Sequence, residues 1–465
     1  MCVWLFYSFL CRSTTNPNKG LQTVARSLLI KNGLLVDDSK KHRLDVRVEN
    51  GKIVDLAEHI DSAKESPDEE IIDASGLWLS HGFVDLHTHL RDLGQSNKED
   101  IFTGTRAAAC GGYTTVVAMA NTDPPTDDVL VMSRIRQLIS ERACIEVLPV
   151  ACVTKGMAGN ELTEMVELAS MGVAAFSDDG LPVSNLAVLR RALEYAELAE
   201  RFIISHAEDR DLAAGGCINE SPTATRLGLA SITPAAESAC IAREIEIVRQ
   251  TGGRLHFAHV STAASVNLIR GAKADKLRVT ADVTPHHLVL SDEDIKDFDT
   301  SFKMNPPLRS KADQAECVRG LKDGTIDAIA TDHAPHSRSD KAKTFDEAPF
   351  GVIGLETAFA LCYERLVLSG ELDEHKLVAL LTSKPAHILN RTCKFEKGST
   401  ANFALLQPKL IWTYQTKDGF SKSINSPFNE RKMTGKNLLT IYQGNQIYCD
   451  LQHMPALSTS HSKSN

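Results

Sequence analysis

The sequence predicts an α/β protein in which a (β/α)8 TIM-type barrel carries a small β-sandwich domain formed from both chain ends. Three observations carry that expectation. From Gly82 onward, short apolar runs rich in β-branched residues alternate with stretches whose apolar positions recur at three and four. Those runs are apolar on both faces, as strands of a parallel sheet covered by helices must be. At the two chain ends the pattern changes to apolar and polar residues alternating around turn pairs.

Taken in order, "SLLIKNGLLVDD" and "LDVRVENGKIVDLAE" alternate around Asn-Gly, a strong hairpin signal, and "LLTIYQGNQIYCD" repeats the style near the other end. Residues 27–81 and 391–452 are therefore expected to form the small β domain. Between them, residues 82–390 form the barrel. Its eight strands are "GFVDLHTHL", "TTVVAMAN", "IEVLPVACV", "VAAFSDDG", "RFIISHAED", "RLHFAHVS", "LRVTADVTPHH" and "IDAIATDHAPH". Stretches such as "VLVMSRIRQLISERAC" and "NLAVLRRALEYAELAE" supply helices between them. An open doubly wound sheet is the competing arrangement. Residues 1–26 form an extension whose apolar run lacks the basic flank and cleavage site of a signal peptide and is too short to span a bilayer. Residues 453–465, rich in Ser and His, are expected to be a disordered tail.

Composition narrows the function. With 43% hydrophobic and 24% charged residues among 465, the chain can bury a sizeable core and reads as soluble and globular, with no membrane partner. A formal charge of -9 argues against nucleic acid as a partner, which would call for a basic surface. The expected partner is a small molecule. The 11 cysteines form no CxxC pair and read as buried apolar residues in a reducing compartment.

His87 and His89 lie two apart on one strand and so project from one face, toward the barrel interior at the end where active sites form. Asp179, His206, His259 and Asp332 stand at the ends of later strands. Alone, each has an ordinary explanation as a turn residue, a cap or a core histidine. Six nitrogen and oxygen donors converging on one barrel axis point instead to a metal centre. Imidazole and carboxylate without cysteine suit Zn²⁺, and a carboxylate can bridge two such ions; one or two per subunit are expected, two being favoured. Metal coordination lowers the pKa of bound water from 15.7 to about 7, and a neighbouring carboxylate, here Asp332, can carry the proton to a leaving nitrogen.

Beyond these residues, "GFVDLHTHLRD", "GGYTTVVAMANT", "AFSDDG", "HAED", "HVST", "TPHHL", "KMNPPLR", "ATDHAPH" and "DEAPFGVIGLET" together resemble the dihydroorotase family, long class, of the amidohydrolase superfamily. The likeness runs from about Leu28 to Gln452. It implies that His87, His89 and Asp332 hold one zinc, that His206 and His259 hold a second, and that Asp179 bridges them. It further implies that Arg91, Asn121 and His336 grip the substrate carboxylate, while Asn305 and the backbone at Phe350 and Gly351 contact the pyrimidine ring. The implied reaction is reversible cyclisation of N-carbamoyl-L-aspartate to (S)-dihydroorotate in pyrimidine synthesis, in the cytoplasm, with a homodimer and a complex with aspartate transcarbamoylase left open. Two alternatives compete: a hydantoinase, dihydropyrimidinase or allantoinase, relatives that generally bridge their metals with a carbamylated lysine, and a non-catalytic scaffold for that transcarbamoylase. The family pattern is broken at His81 and Ala120, where proline is usual, at Asn402, where Asp is usual, and at "KGSTANFALL", which is shorter than usual.

Overall fold

A computed structural model describes residues 27–37, 41–61, 69–454 and 458–459. The N-terminal extension lies outside the described residues. Chain order begins with β1 (Leu28–Val36), β2 (Lys41–Glu49), β3 (Lys52–Ala57), β4 (Glu70–Asp73) and β5 (Trp78–His81). Only one of the two Asn-Gly pairs here makes a turn. Asn50 and Gly51, at φ 50° and 77°, join β2 to β3. Asn32 (φ 61°) sits inside β1, where the register against β2 shifts between Ile30 and Gly33, so this pair makes a bulge. The Asn32 backbone N–H is satisfied by the Asp45 carboxylate at 2.7 Å instead of by the ladder.

The barrel follows. β6 (Phe83–Thr88), β7 (Tyr113–Ala118) and β8 (Glu146–Pro149) form one parallel sheet. β9 (Ile203–Ser205) is followed by a two-stranded parallel excursion, β10 (Ile218–Asn219) and β11 (Ser231–Ile232). β12 (Leu255–Phe257), β13 (Val279–Val283) and β14 (Ala328–Ile329) then complete a second parallel sheet with β9. Phe176 links the two sheets through bridges to Ala151 and Ile203, and a bridge from Thr88 to His333 closes the ring. The fourth expected strand, "VAAFSDDG", is therefore a single paired residue and not a regular strand. Helices between the strands start and stop where the chemistry directs. Asp100 caps Ile101–Gly111 by accepting the Thr103 N–H, and Gly112 ends it at φ 95°. Among the described residues no helix is long and apolar enough to cross a membrane.

β15 (Phe403–Thr413), β16 (Lys432–Tyr442) and β17 (Asn445–Cys449) return the chain to the first domain, where β15 pairs antiparallel with β5. The end strands are hydrogen-bonded into one continuous sheet, in the order β17-β16-β15-β5-β1-β2-β3 with β4 beside β1. Ser458–Thr459 adds a short strand to β4 where a disordered tail was expected; residues 455–457 and 460–465 of that tail lie outside the described residues. Alternation sorts β15 between two cores. Phe403 and Leu405 join Ile30, Val46, Leu79 and Ile441 in the domain's own cluster, while Ala404 and Leu406 face the barrel core. Trp78 faces the barrel too, meeting Phe359 and Tyr363 edge-on with centroids at 6.4 and 5.4 Å. Trp78→Ala is thus expected to cost about 3–5 kcal/mol of stability through the cavity it leaves between the domains, measured as a drop in unfolding free energy by urea titration.

Candidate metal centre and active site

β6 is buried along its whole length, and His89 just beyond its end is buried too, so both His87 and His89 point into protein. His87, His89 and Asp179 bring donor atoms within 4.8 Å of one another, and Asp179, His206 and His259 do the same. Asp179 is thus common to both groups. His87 Nε2 lies 3.4 Å and His89 Nε2 3.5 Å from its carboxylate oxygens, and His206 Nδ1 and His259 Nε2 both lie 3.7 Å from Oδ1. Asp332 Oδ1 completes the cluster at 3.6 Å from His87 Nε2 and 3.1 Å from His89 Nε2. All six are buried.

Both ring nitrogens of His87, Nδ1 of His259 and Oδ1 of Asp179 are buried without a hydrogen-bond partner among the described residues. Buried polar atoms are rarely left so. A cation among these imidazoles and carboxylates would satisfy several of them at once, so the donor set fits a metal. His89 Nδ1 lies 2.9 Å from Asn121 Oδ1, an orientation that turns Nε2 toward the carboxylates. Charge tells the same story. Burial works against protonation of His87, yet Asp179 and Asp332 outweigh it and push the imidazole up to about 10. Burial likewise drives Asp179 and Asp332 toward the neutral acid, but the surrounding imidazoles, His87 foremost, hold both below the usual carboxylate range.

Local backbone geometry places these groups. Arg91, His259 and Asp332 have φ of 62°, 40° and 46°, left-handed conformations that cost non-glycine residues about 1–3 kcal/mol each. Two acids, absent from the residues singled out in the sequence, brace them. Asp282 on β13 accepts the His259 N–H at 2.7 Å, and its other oxygen lies 2.8 Å from His256 Nε2. Asp85 on β6 accepts the His87 N–H at 3.0 Å and the Thr331 hydroxyl at 2.6 Å, next to Asp332. Burial pushes Asp85 up to about 7, whereas His256 outweighs burial at Asp282 and holds it low. The available signal was an acid in an otherwise apolar strand, "FVDLH" and "TADVT".

The remaining expected residues gather on one side of this cluster. Asn121 Nδ2 donates to the Asp179 carboxylate at 3.2 Å, so its amide joins two donors of the cluster. Asn305 Nδ2 lies 3.3 Å from His206 Nε2 and donates to Glu208 at 2.9 Å. Arg91 donates to the Pro335 carbonyl at 3.2 Å, and its Nη2 lies 3.4 Å from His336 Nε2, itself 2.7 Å from the Phe350 carbonyl. Burial, reinforced by Arg91, pushes His336 down to about 2, so this imidazole is neutral. Gly351 has φ 143°, and a Cβ there would meet the Ala334 carbonyl at 2.7 Å. Asn425, also unanticipated, comes from the connection between β15 and β16. Its Oδ1 accepts the His336 N–H, and its Nδ2 donates to the Ala334 and Gly351 carbonyls, all at 3.0 Å.

Comparison with known proteins adds a family. The family described as Dihydro-orotase-like matches residues 76–265. The chain is 41% identical to the dihydroorotase of Caldanaerobacter subterraneus subsp. tengcongensis over 90% of this chain and 97% of that protein. It is 44% identical to that of Pelotomaculum thermopropionicum over 91% and 99%. Among solved structures, L-hydantoinase from Arthrobacter aurescens superposes with a TM-score of 0.80 at 23% identity, covering 90% of this chain and 96% of the other. Dihydropyrimidinase from Brevibacillus agri gives 0.78 at 22%, covering 91% and 95%. At that identity these structures speak for the fold alone.

If Asp282 braces a metal-holding His259, Asp282→Asn should weaken metal retention about 10- to 100-fold, read by elemental analysis after dialysis against graded chelator.

Proposed function

The chain belongs to the dihydroorotase family, and from that premise we propose that its barrel-mouth cluster catalyses the reversible cyclisation of N-carbamoyl-L-aspartate to (S)-dihydroorotate. The observation that carries this reading is the convergence of five donors on one buried carboxylate region, with an arginine that has no acidic partner within 4.0 Å among the described residues standing beside it. A scaffold that had lost catalysis would have no use for the complete donor set.

In this reading His87, His89 and Asp332 would hold one Zn²⁺, His206 and His259 would hold another, and Asp179, common to both donor groups, would serve both. Ions held there would supply Lewis-acid polarisation of the ring carbonyl and acidify an attacking water. The chain's own residues do the rest. Asp332, ionised at neutral pH, takes the proton of the attacking water in the hydrolytic direction and delivers it to the ring nitrogen as the C–N bond breaks. In cyclisation it takes a proton from the attacking ureido nitrogen and gives it to the departing hydroxyl. The Arg91 guanidinium presents a fork matched to the substrate carboxylate, and neutral His336 beside it adds a polar contact without adding charge. Asn121 contributes its amide from the other side, Asn305 approaches the ring beside His206, and the backbone at Phe350 and Gly351 meets the ring edge. Because Gly351 has no Cβ, the chain can pass close to the Ala334 carbonyl at this point.

Asp332→Asn should keep the fold and lose about 10² to 10⁴ in turnover, assayed by absorbance of dihydroorotate; near-normal rates would exclude the shuttle role. Arg91 separates this reading from the cyclic-amide hydrolases that act on uncharged rings. Dihydroorotate should be turned over far better than dihydrouracil, and Arg91→Met should erase about 1.5–3 kcal/mol of that preference, measured as the ratio of kcat/KM values. Equal use of both rings by the unmutated enzyme would favour a dihydropyrimidinase.

A further inference from the structure

Three stretches of chain meet on the substrate side of the site: 300–305, which ends in Asn305; 334–336, which ends in His336; and 345–351, which carries Phe350 and Gly351. None of the three is a regular strand. Their relative positions decide whether the ring contacts and the carboxylate grip are available together. Backbone bonds between them are few. The Gly351 N–H donates to the Lys303 carbonyl at 3.0 Å, and the Ala334 N–H donates to Val352 at 2.9 Å.

A lysine on a fourth stretch ties the first and third together. Lys341 ends the short helix Arg338–Lys341 and is half-buried. Its ammonium donates to three backbone carbonyls: Thr300 at 3.0 Å, Lys303 at 3.1 Å and Pro349 at 2.9 Å. Three donors thus meet three acceptors, the full capacity of an ammonium group. No carboxylate lies within 4.0 Å of it among the described residues, so the charge is used entirely on the backbone of the two segments. The Thr300 hydroxyl returns a bond of 2.5 Å to the Lys341 carbonyl. Lys303 points the other way, with its ammonium 4.6 Å from the Phe350 ring centroid and 2.9 Å from the Asp346 carbonyl, so two lysines stitch the same pair of segments from opposite sides. The bonds from Asn425 to Ala334, His336 and Gly351 attach the second segment to that pair.

We propose that Lys341 is a positioning residue for the substrate pocket, a protonated latch that holds the Asn305 and Phe350–Gly351 segments at the spacing dihydroorotate requires. The inference rests on the dihydroorotase reading of the site. It makes substrate affinity depend on the charge of a side chain that touches neither substrate nor metal. An amine that has lost its proton has two donors and directs a lone pair at the third carbonyl, so deprotonation opens the latch. The charged and titratable groups facing Lys341 are Lys303 from the first segment, Asp299 preceding it, Asp340 on its own helix and His336, which is neutral. Burial, with the repulsion from Lys303, brings the Lys341 ammonium down to about 7, within the range an assay can cross. A lysine whose pKa is lowered holds its latch below that value and releases it as pH rises through it.

The test compares the metal-loaded enzyme with Lys341→Met and Lys341→Arg across pH 6 to 9, measuring kcat and KM for dihydroorotate together with metal content. In the unmutated enzyme KM should rise with pH. Lys341→Met should have a KM raised about tenfold and flat with pH, with kcat changed far less, because what is lost is uniform binding. Lys341→Arg stays charged throughout and should restore a lower KM that no longer responds to pH. Metal content should be the same in all three. If Lys341→Met keeps the KM and the pH response of the unmutated enzyme, or if KM of the unmutated enzyme is flat and Lys341→Arg matches it, the latch is overturned. Absence of dihydroorotate turnover in the unmutated, metal-loaded enzyme would instead overturn the functional reading on which it rests.

Discussion

Two carboxylates, Asp179 and Asp332, are buried side by side at the mouth of an apolar barrel, and much of the surrounding architecture compensates for that placement. An isolated carboxylate in such a medium would shed its charge by taking up a proton. Here four imidazoles surround the pair, His87, His89 and His259 among them hold both ionised, and the Asn121 amide satisfies part of Asp179. The strand ends turn through left-handed backbone to aim Arg91, His259 and Asp332 inward. That strain persists because deeper acids hold the backbone in place, Asp282 at His259 and Asp85 at His87 and Thr331. The two acids meet burial differently. Asp282 is held low by its contact with His256, while Asp85, with hydroxyl and amide partners only, is pushed toward the neutral form.

How much of this was legible depended on whether a property is local. Period-two and period-3.6 patterns are local, and they located the barrel strands and the split β domain. The six clustered imidazoles and carboxylates stand at the ends of five apolar runs, His87 and His89 sharing one, and the barrel topology collects them. What a local pattern cannot carry is pairing. "VAAFSDDG" has the composition of a strand, but it contributes one bridged residue, Phe176. Asn32-Gly33 and Asn50-Gly51 look alike as dipeptides; only tertiary pairing against Asp45 makes the first a bulge. The brace of Asp282 and the bonds of Asn425 were illegible for the same reason: each residue acts through backbone groups far from it in the chain, and backbone groups have no signature in a sequence.

The small β domain contributes more than a base for the barrel. Its own connection between β15 and β16 supplies Asn425, so the segments carrying His336 and Gly351 are held by a residue that belongs, in chain order, to the other domain. Ser421 extends the attachment by bonding Glu99, and the Glu356 carboxylate accepts the Phe420 N–H at 2.8 Å. The geometry around His336 and Gly351 is therefore a property of the interface as much as of the barrel.

The pairing of β5 with β15 sets an order of events during synthesis on the ribosome. β5 immediately precedes the first barrel strand, yet its antiparallel neighbour lies more than three hundred residues downstream. Until that strand emerges, Leu79 and the apolar residues of β1 have only the N-terminal part of the cluster they share with Phe403 and Ile441. The nascent chain therefore carries an unpaired strand edge and an uncovered apolar face while nearly the whole barrel is being made. Such surfaces are what chaperones bind and what drives aggregation. Strands β15 and β16, made after the barrel, are the ones that retire that exposure, so premature termination anywhere short of β15 leaves a chain whose first five strands cannot complete their sheet.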